Sequence, residues 1–136
     1  FDILLYYSSF RVSLKAGFFV REAIPAYVIH GKKGSFLKPR ADVQEDELKL
    51  GNKPNLDTWG TESIEKQGLL HTEINGEIVK QQIPTLQGNY YDFFDGVYHS
   101  IIQNAIEPVT AQDGVHVMQI IEAAIQSSAK KKAIDL

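Results

Sequence analysis

The densest group of residues able to do chemistry in this sequence is Asp42-Val43-Gln44-Glu45. Two carboxyls flanking an amide could serve as a general acid and base if a reacting proton came within hydrogen-bond reach. The same spacing fits a capping box, with Asp42 at the N-cap of a short helix and Glu45 three residues on, and this reading is preferred. Tyr90 and Tyr91 could stack on a sugar, although Tyr90 lies on an apolar helical stripe and is expected in a core. Trp59, the single tryptophan, either lines a pocket or buries a loop. The histidines, His30, His71, His99 and His116, fall on separate segments without ligand spacing, so surface or packing roles are expected. A metal-dependent enzyme using His71 or His99 therefore has no spacing to support it.

No motif specifies a reaction. The sequence has no GxGxxG after a strand, no HExxH, no nucleophile elbow and no phosphate loop. It has no cysteine, which excludes disulfides and thiolate chemistry. A formal charge of -3 and mostly scattered basic residues argue against nucleic acid as a partner, the Lys130-Lys131-Lys132 run being the exception. No apolar stretch is long enough to span a bilayer and no signal peptide is visible, so no membrane partner and a cytoplasmic location are expected.

The elements that must position these residues follow from periodicity. At 136 residues, 43% hydrophobic and 23% charged, the chain fits one globular domain. Residues 2–9 and 11–21 read as strands; in the second, Val12, Leu14, Ala16, Phe18 and Val20 alternate with mostly polar neighbours. A third strand is expected at about 26–30, a turn at Gly31-Lys32-Lys33-Gly34, and a returning strand over 35–38. A short helix fits 43–50, stopped by Gly51, and a long polar loop runs to about Gln67. Residues 68–74 and 77–83 form a hairpin around Asn75-Gly76, a pair suited to a type I′ turn. Helices are expected over 89–105 and 111–129, the second opened by a Thr110–Asp113 capping box, with a short strand over 133–136. Strands first and helices last indicate an α+β domain: a mainly antiparallel open sheet with helices packed on one face. The other face then needs a partner, because residues 2–9 are apolar on both sides. The opening at Phe1 directly into an apolar strand predicts a piece of a longer protein.

Several short patterns occur in a characteristic order. They are Gly34-Ser35-Phe36-Leu37-Lys38, then Asp42, Gln44-Glu45, Leu48 and Gly51; Pro54 and Trp59-Gly60; Gly88-Asn89-Tyr90-Tyr91 with Phe93-Phe94; and Pro108-Val109 before the last helix. The ending, with Ile120-Ile121, Ala123-Ala124 and Ser127, continues the series. From about residue 26 onward the chain resembles the C-terminal domain of the Gfo/Idh/MocA oxidoreductases (glucose-fructose oxidoreductase, inositol dehydrogenase and rhizopine-catabolism proteins). It departs at Pro39-Arg40-Ala41, where a glycine is often found.

The resemblance implies that residues 1–136 are one substrate and dimerisation domain, whose N-terminal Rossmann partner lies outside this chain. It implies NAD or NADP in the full-length protein, none bound to this piece, and a homo-oligomer formed through the sheet face. Substrates would be sugars, polyols or related hydroxy and keto compounds. The family's catalytic lysine and histidine have no counterpart here, so no catalytic residue is expected and the isolated chain should lack dehydrogenase activity. Lys38, Gln44, Trp59 and Tyr91 are the residues expected to line the substrate pocket. The rival reading is a stand-alone α+β binding or dimerisation module without enzymatic activity.

Overall fold

The computed structural model describes residues 1–55 and 57–136. They form two compact units, one from Glu22 to Asp95 and the other from Phe1–Arg21 with Gly96–Leu136. The class is α+β, with one four-stranded and one two-stranded sheet, both antiparallel.

In the Glu22–Asp95 unit the strands β3 (Tyr27–His30), β4 (Gly34–Lys38), β5 (Gly68–Ile74) and β6 (Glu77–Ile83) lie side by side in chain order. Turn chemistry sets the hairpins. Gly31 N–H donates to the Gly34 carbonyl at 2.8 Å, closing β3 to β4. Asn75 and Gly76 take φ angles of 53° and 87°, the left-handed pair that a type I′ turn requires. The register puts Tyr27, Ile29, Phe36, Leu70, Thr72 and Val79 on one face, and Val28, Leu37, Leu69, His71 and Lys80 on the other. Gly68 is needed where it stands, since a Cβ there would fall 2.2 Å from the Phe36 ring. The unit also contains α1 (Gln44–Lys49), a single 3-10 turn at Ile64–Lys66, and the start of α2 (Tyr90–Gln103).

The other unit holds the hairpin of β1 (Asp2–Tyr6) and β2 (Arg11–Lys15), the rest of α2, and α3 (Ala111–Lys130). Both hairpin strands are shorter than the sequence pattern predicts. Tyr7 to Phe10 form a closed turn, with Tyr7 N–H on the Phe10 carbonyl at 2.9 Å and the two rings stacked 4.5 Å apart. At the far end Phe1 and Ala16 exchange main-chain bonds, and residues 17–21 run past the end of β1 without a ladder partner on it. A strand over 133–136 is also absent: Lys131 turns the chain at φ 53°, and Ser127 Oγ caps the end by donating to the Lys132 carbonyl. The Thr110–Asp113 capping box forms as expected, with each side chain accepting from the other residue's N–H.

Among the described residues Trp59 is the single large apolar side chain that is buried. Apolar side chains stand exposed on both faces of the larger sheet, Tyr27 and Ile29 on one and Val28 and Ile78 on the other.

Candidate functional site

Besides Trp59, the buried side chains are the polar ones of Lys38 and Gln44, and Gln44 lies where α1 meets the start of α2. After Pro39 leaves β4, Asp42 Oδ1 accepts the N–H of Gln44 at 3.0 Å and so starts α1. The cap differs from the expected one. Val43 holds the N-cap position in a helical conformation, and its own side chain makes no cap bond. Asp42 is thus one residue too early to form a box with Glu45. Glu45 instead pairs with Lys49 at 2.9 Å along the exposed face, and the hydrogen bond the lysine donates to this carboxylate holds it above its ordinary pKa. Acidic residues in the first turn suit the positive end of the helix. Gly51, at φ 79°, takes the conformation that ends it.

Gln44 is 2% exposed, and both ends of its amide are engaged. Oε1 accepts the N–H of Tyr90 at 2.8 Å, at the first residue of α2. Nε2 donates to both Asp42 oxygens, at 3.2 and 3.3 Å. The amide passes so close to Gly88 that a Cβ there would lie 2.6 Å from Nε2. Gly88 in turn donates to the Gly60 carbonyl at 3.1 Å, and Gln87 Nε2 donates to the Trp59 carbonyl at 2.7 Å. Gly60 has φ 73° and would meet the Gly88 carbonyl oxygen at 2.1 Å if it carried a Cβ. Two loops and two helix ends are therefore tied through one glutamine and two glycines.

Against this knot lies an apolar hollow of about 130 Å³, lined by Leu48, Pro54, Trp59, Tyr90, Tyr91 and Phe94. A wider, shallower depression of about 350 Å³ adjoins Tyr90, Phe93 and Phe94. Trp59 is 6% exposed and forms wall and support at once, whereas Tyr91 is 43% exposed and free to meet a ligand. Asn89 Oδ1 accepts the Tyr91 N–H at 3.0 Å, and its amide donates to Asp92 at 2.7 Å.

Lys38 goes elsewhere. It is 9% exposed and forms an ion pair with Glu62, while its ammonium also donates to the carbonyls of Lys66 at 2.9 Å and Pro39 at 3.4 Å. An ammonium has three protons, and all three have acceptors within the chain. The structure thus brings Trp59 and Tyr91 to one hollow, sets Gln44 behind it, and encloses Lys38 in a separate pair. Glu62 and the wall residues Leu48 and Phe94 were not expected at the site from the sequence. Glu62 lies in a polar loop 24 residues from Lys38, and no local pattern marks it.

The histidines do not assemble. His30 Nδ1 is 2.8 Å from Ser35 Oγ, His71 stands opposite Ser35 in the ladder, and His99 meets Tyr98 edge-on. Among the described residues no three His, Asp or Glu side chains come together as metal donors. Nor do these residues suit a dinucleotide. The first N–H groups of α2 are taken by Gln44 and Asn89; at α3 the Asp113 N–H donates to Thr110 Oγ, and the Asp113 carboxylate, which accepts from Thr110, would repel a pyrophosphate. No helix among the described residues is long and apolar enough to cross a membrane.

The pattern described as the oxidoreductase family's C-terminal alpha/beta domain matches residues 3–136. The chain belongs to the Gfo/Idh/MocA oxidoreductases. Scyllo-inositol 2-dehydrogenase (NADP(+)) IolW of Bacillus subtilis is 39% identical over 136 residues, all of this chain and 38% of that protein. The uncharacterized oxidoreductase YdgJ of Escherichia coli is 29% identical over 137 residues, again the whole chain and 39% of the relative. The solved structure of YvaA from Bacillus subtilis agrees with a TM-score of 0.94 at 38% identity, covering 99% of this chain and 40% of YvaA. The Gfo/Idh/MocA chain described here thus spans about two fifths of the length of the proteins it matches.

Proposed function

We propose that this chain is the C-terminal, substrate-side domain of a two-domain NAD(P)-dependent oxidoreductase acting on a polyol, a sugar or a related hydroxy or keto compound. The observation that carries the reading is its similarity along its whole length to IolW, named as an NADP-linked scyllo-inositol dehydrogenase, of which it spans 38%. Within the proposal the nucleotide belongs to an N-terminal Rossmann domain, because the helix ends of this chain are already occupied. Trp59 and Tyr91 face substrate, an aromatic wall suiting the C–H face of a cyclic polyol. Gln44 acts from behind the wall, and Lys38 stays in its separate pair with Glu62. The chain alone carries out no hydride transfer.

The exposed apolar side chains on the four-stranded sheet support a second part of the proposal, that copies of the protein associate through this sheet. Each Val, Ile or Phe covered in such a contact would contribute about 1.5–3 kcal/mol. The test of the whole reading is steady-state turnover by the full-length parent against inositol isomers, other polyols and sugars, with NAD and with NADP. Turnover by the parent and none by residues 1–136 is expected. A parent that binds neither nucleotide and oxidises no member of the panel would leave a stand-alone association module.

A further inference from the structure

We infer that Gln44 is a positioning residue: it sets the first turn of α2, and through it the Tyr91–Trp59 wall, without touching substrate. The inference rests on the reading that this wall faces substrate. Three observations carry it.

Gln44 is the most deeply enclosed side chain described, at 2% exposure, so no solute reaches it. Its two amide atoms have opposite tasks that no other neutral side chain of that length performs. The oxygen takes the first N–H of α2, and the NH2 neutralises the hydrogen-bonding capacity of Asp42, which is itself fixed by the Gln44 main chain. The third observation is reach. The segments it joins are the ones lining the hollow: α1 supplies Leu48, the Trp59-Gly60 loop supplies Trp59, and α2 supplies Tyr90, Tyr91 and Phe94. Gly88 sits between them, held on one side by Gln44 and on the other by Gly60. Removing the amide frees the Tyr90 N–H and leaves Asp42 the Gln44 main-chain N–H but not the two bonds from its side chain. The first turn of α2 can then shift against the Trp59 loop, and a displacement of about 1 Å in a binding wall is enough to cost up to a hundredfold in rate.

The chemistry gives the substitution series its direction. Gln44→Ala deletes both tasks. Gln44→Asn keeps the amide one methylene short and cannot span from Asp42 to Tyr90. Gln44→Glu keeps the acceptor for Tyr90 but sets a carboxylate against the Asp42 carboxylate. Asp42 is the titratable group facing it; the Tyr90 main chain and Gly88 carry none. Only when the carboxyl pair shares a proton is the original bonding pattern restored, so Gln44→Glu should recover on acidification and the other two should not.

The experiment uses the full-length parent labelled with 5-fluorotryptophan, the Trp59 fluorine signal being assigned with Trp59→Phe. Polyol turnover is measured alongside on the same samples. Gln44→Ala is expected to move the Trp59 signal and to raise KM for the polyol by about tenfold while kcat changes less than about threefold. Gln44→Glu should match it at pH 8 and return toward wild type, in both signal and KM, as the pH falls toward 5. An unmoved Trp59 signal in Gln44→Ala, or a Gln44→Glu variant whose signal ignores pH, overturns the inference. If wild type oxidises nothing in the panel, the oxidoreductase reading fails, and the fluorine signals still decide whether Gln44 positions the wall.

Discussion

The Glu22–Asp95 unit and the Phe1–Arg21 with Gly96–Leu136 unit are built on opposite terms. In the first, Lys38, Gln44 and Trp59 are buried, and the polar members find every partner inside the chain. In the second, Phe18 and Phe19 stand almost wholly exposed and Ile101 and Ile106 largely so, and the hydrogen bonds named there belong to the β1–β2 hairpin and to helix caps. Apolar side chains stand exposed in both units, and the polar burial lies in the first. The lesson is that polar burial, not apolar burial, marks where this chain is self-sufficient. A buried ion or amide is tolerated only where its geometry is closed, so such groups report finished structure.

The sharpest way to break the contrast is at Lys38. Lys38→Ala strands the Glu62 carboxylate in a largely buried place, and a loss of about 3–5 kcal/mol in unfolding free energy is expected by urea denaturation. Lys38→Met combined with Glu62→Leu should recover most of that loss. If the single variant costs no more than a surface change, the pair is not structural. Gly60→Ala comes next, because it forces both a left-handed φ and a main-chain clash with Gly88. It should cost more than about 1 kcal/mol and shift the midpoint accordingly. Gly17→Ala, with open space around it and no positive φ, should change stability by less than about 0.5 kcal/mol.

At the α3 cap, in the same unit as Gly17, the expected effects are local. Thr110→Ala removes the cap of α3 and should lower stability by about 1 kcal/mol, read from the thermal midpoint. The smallest effect is a titration. The Thr110 side chain, and then its main-chain N–H, hold the Asp113 carboxyl below its ordinary pKa. A depressed carboxyl contributes its share above the unfolded value, and the contribution disappears as the pH falls through the lower folded value. Carbon-detected NMR of Asp113 should therefore show a midpoint below that of an exposed aspartate, moving up toward it in Thr110→Ala. An unchanged midpoint would mean that the cap does not set the titration.

Much of the fold was legible in the residues because it depends on neighbours. Asn75-Gly76 announces its hairpin through the φ angles the two residues tolerate, and Thr110 with Asp113 announces α3 through a three-residue reach. Strand lengths were less legible, because a strand lasts only as long as its partner: the alternation through Val20 continues after the β1–β2 ladder has stopped at Lys15. The Asp42 cap misled for a related reason, since one residue of offset separates a capping box from the observed turn, and packing of Gln44 against Gly88 and Tyr90 chooses between them.

The site divides along the same line. The family resemblance carried by the ordered patterns singled out Lys38, Gln44, Trp59 and Tyr91 as pocket residues. Their tasks were decided by tertiary structure. Lys38 meets Glu62 across 24 residues, and Gln44 meets Tyr90 across 46. Nothing in the local sequence encodes those distances. They are settled when the sheet and the two helix ends come together, because a buried ammonium or amide must then bond to whatever acceptor the fold has placed beside it.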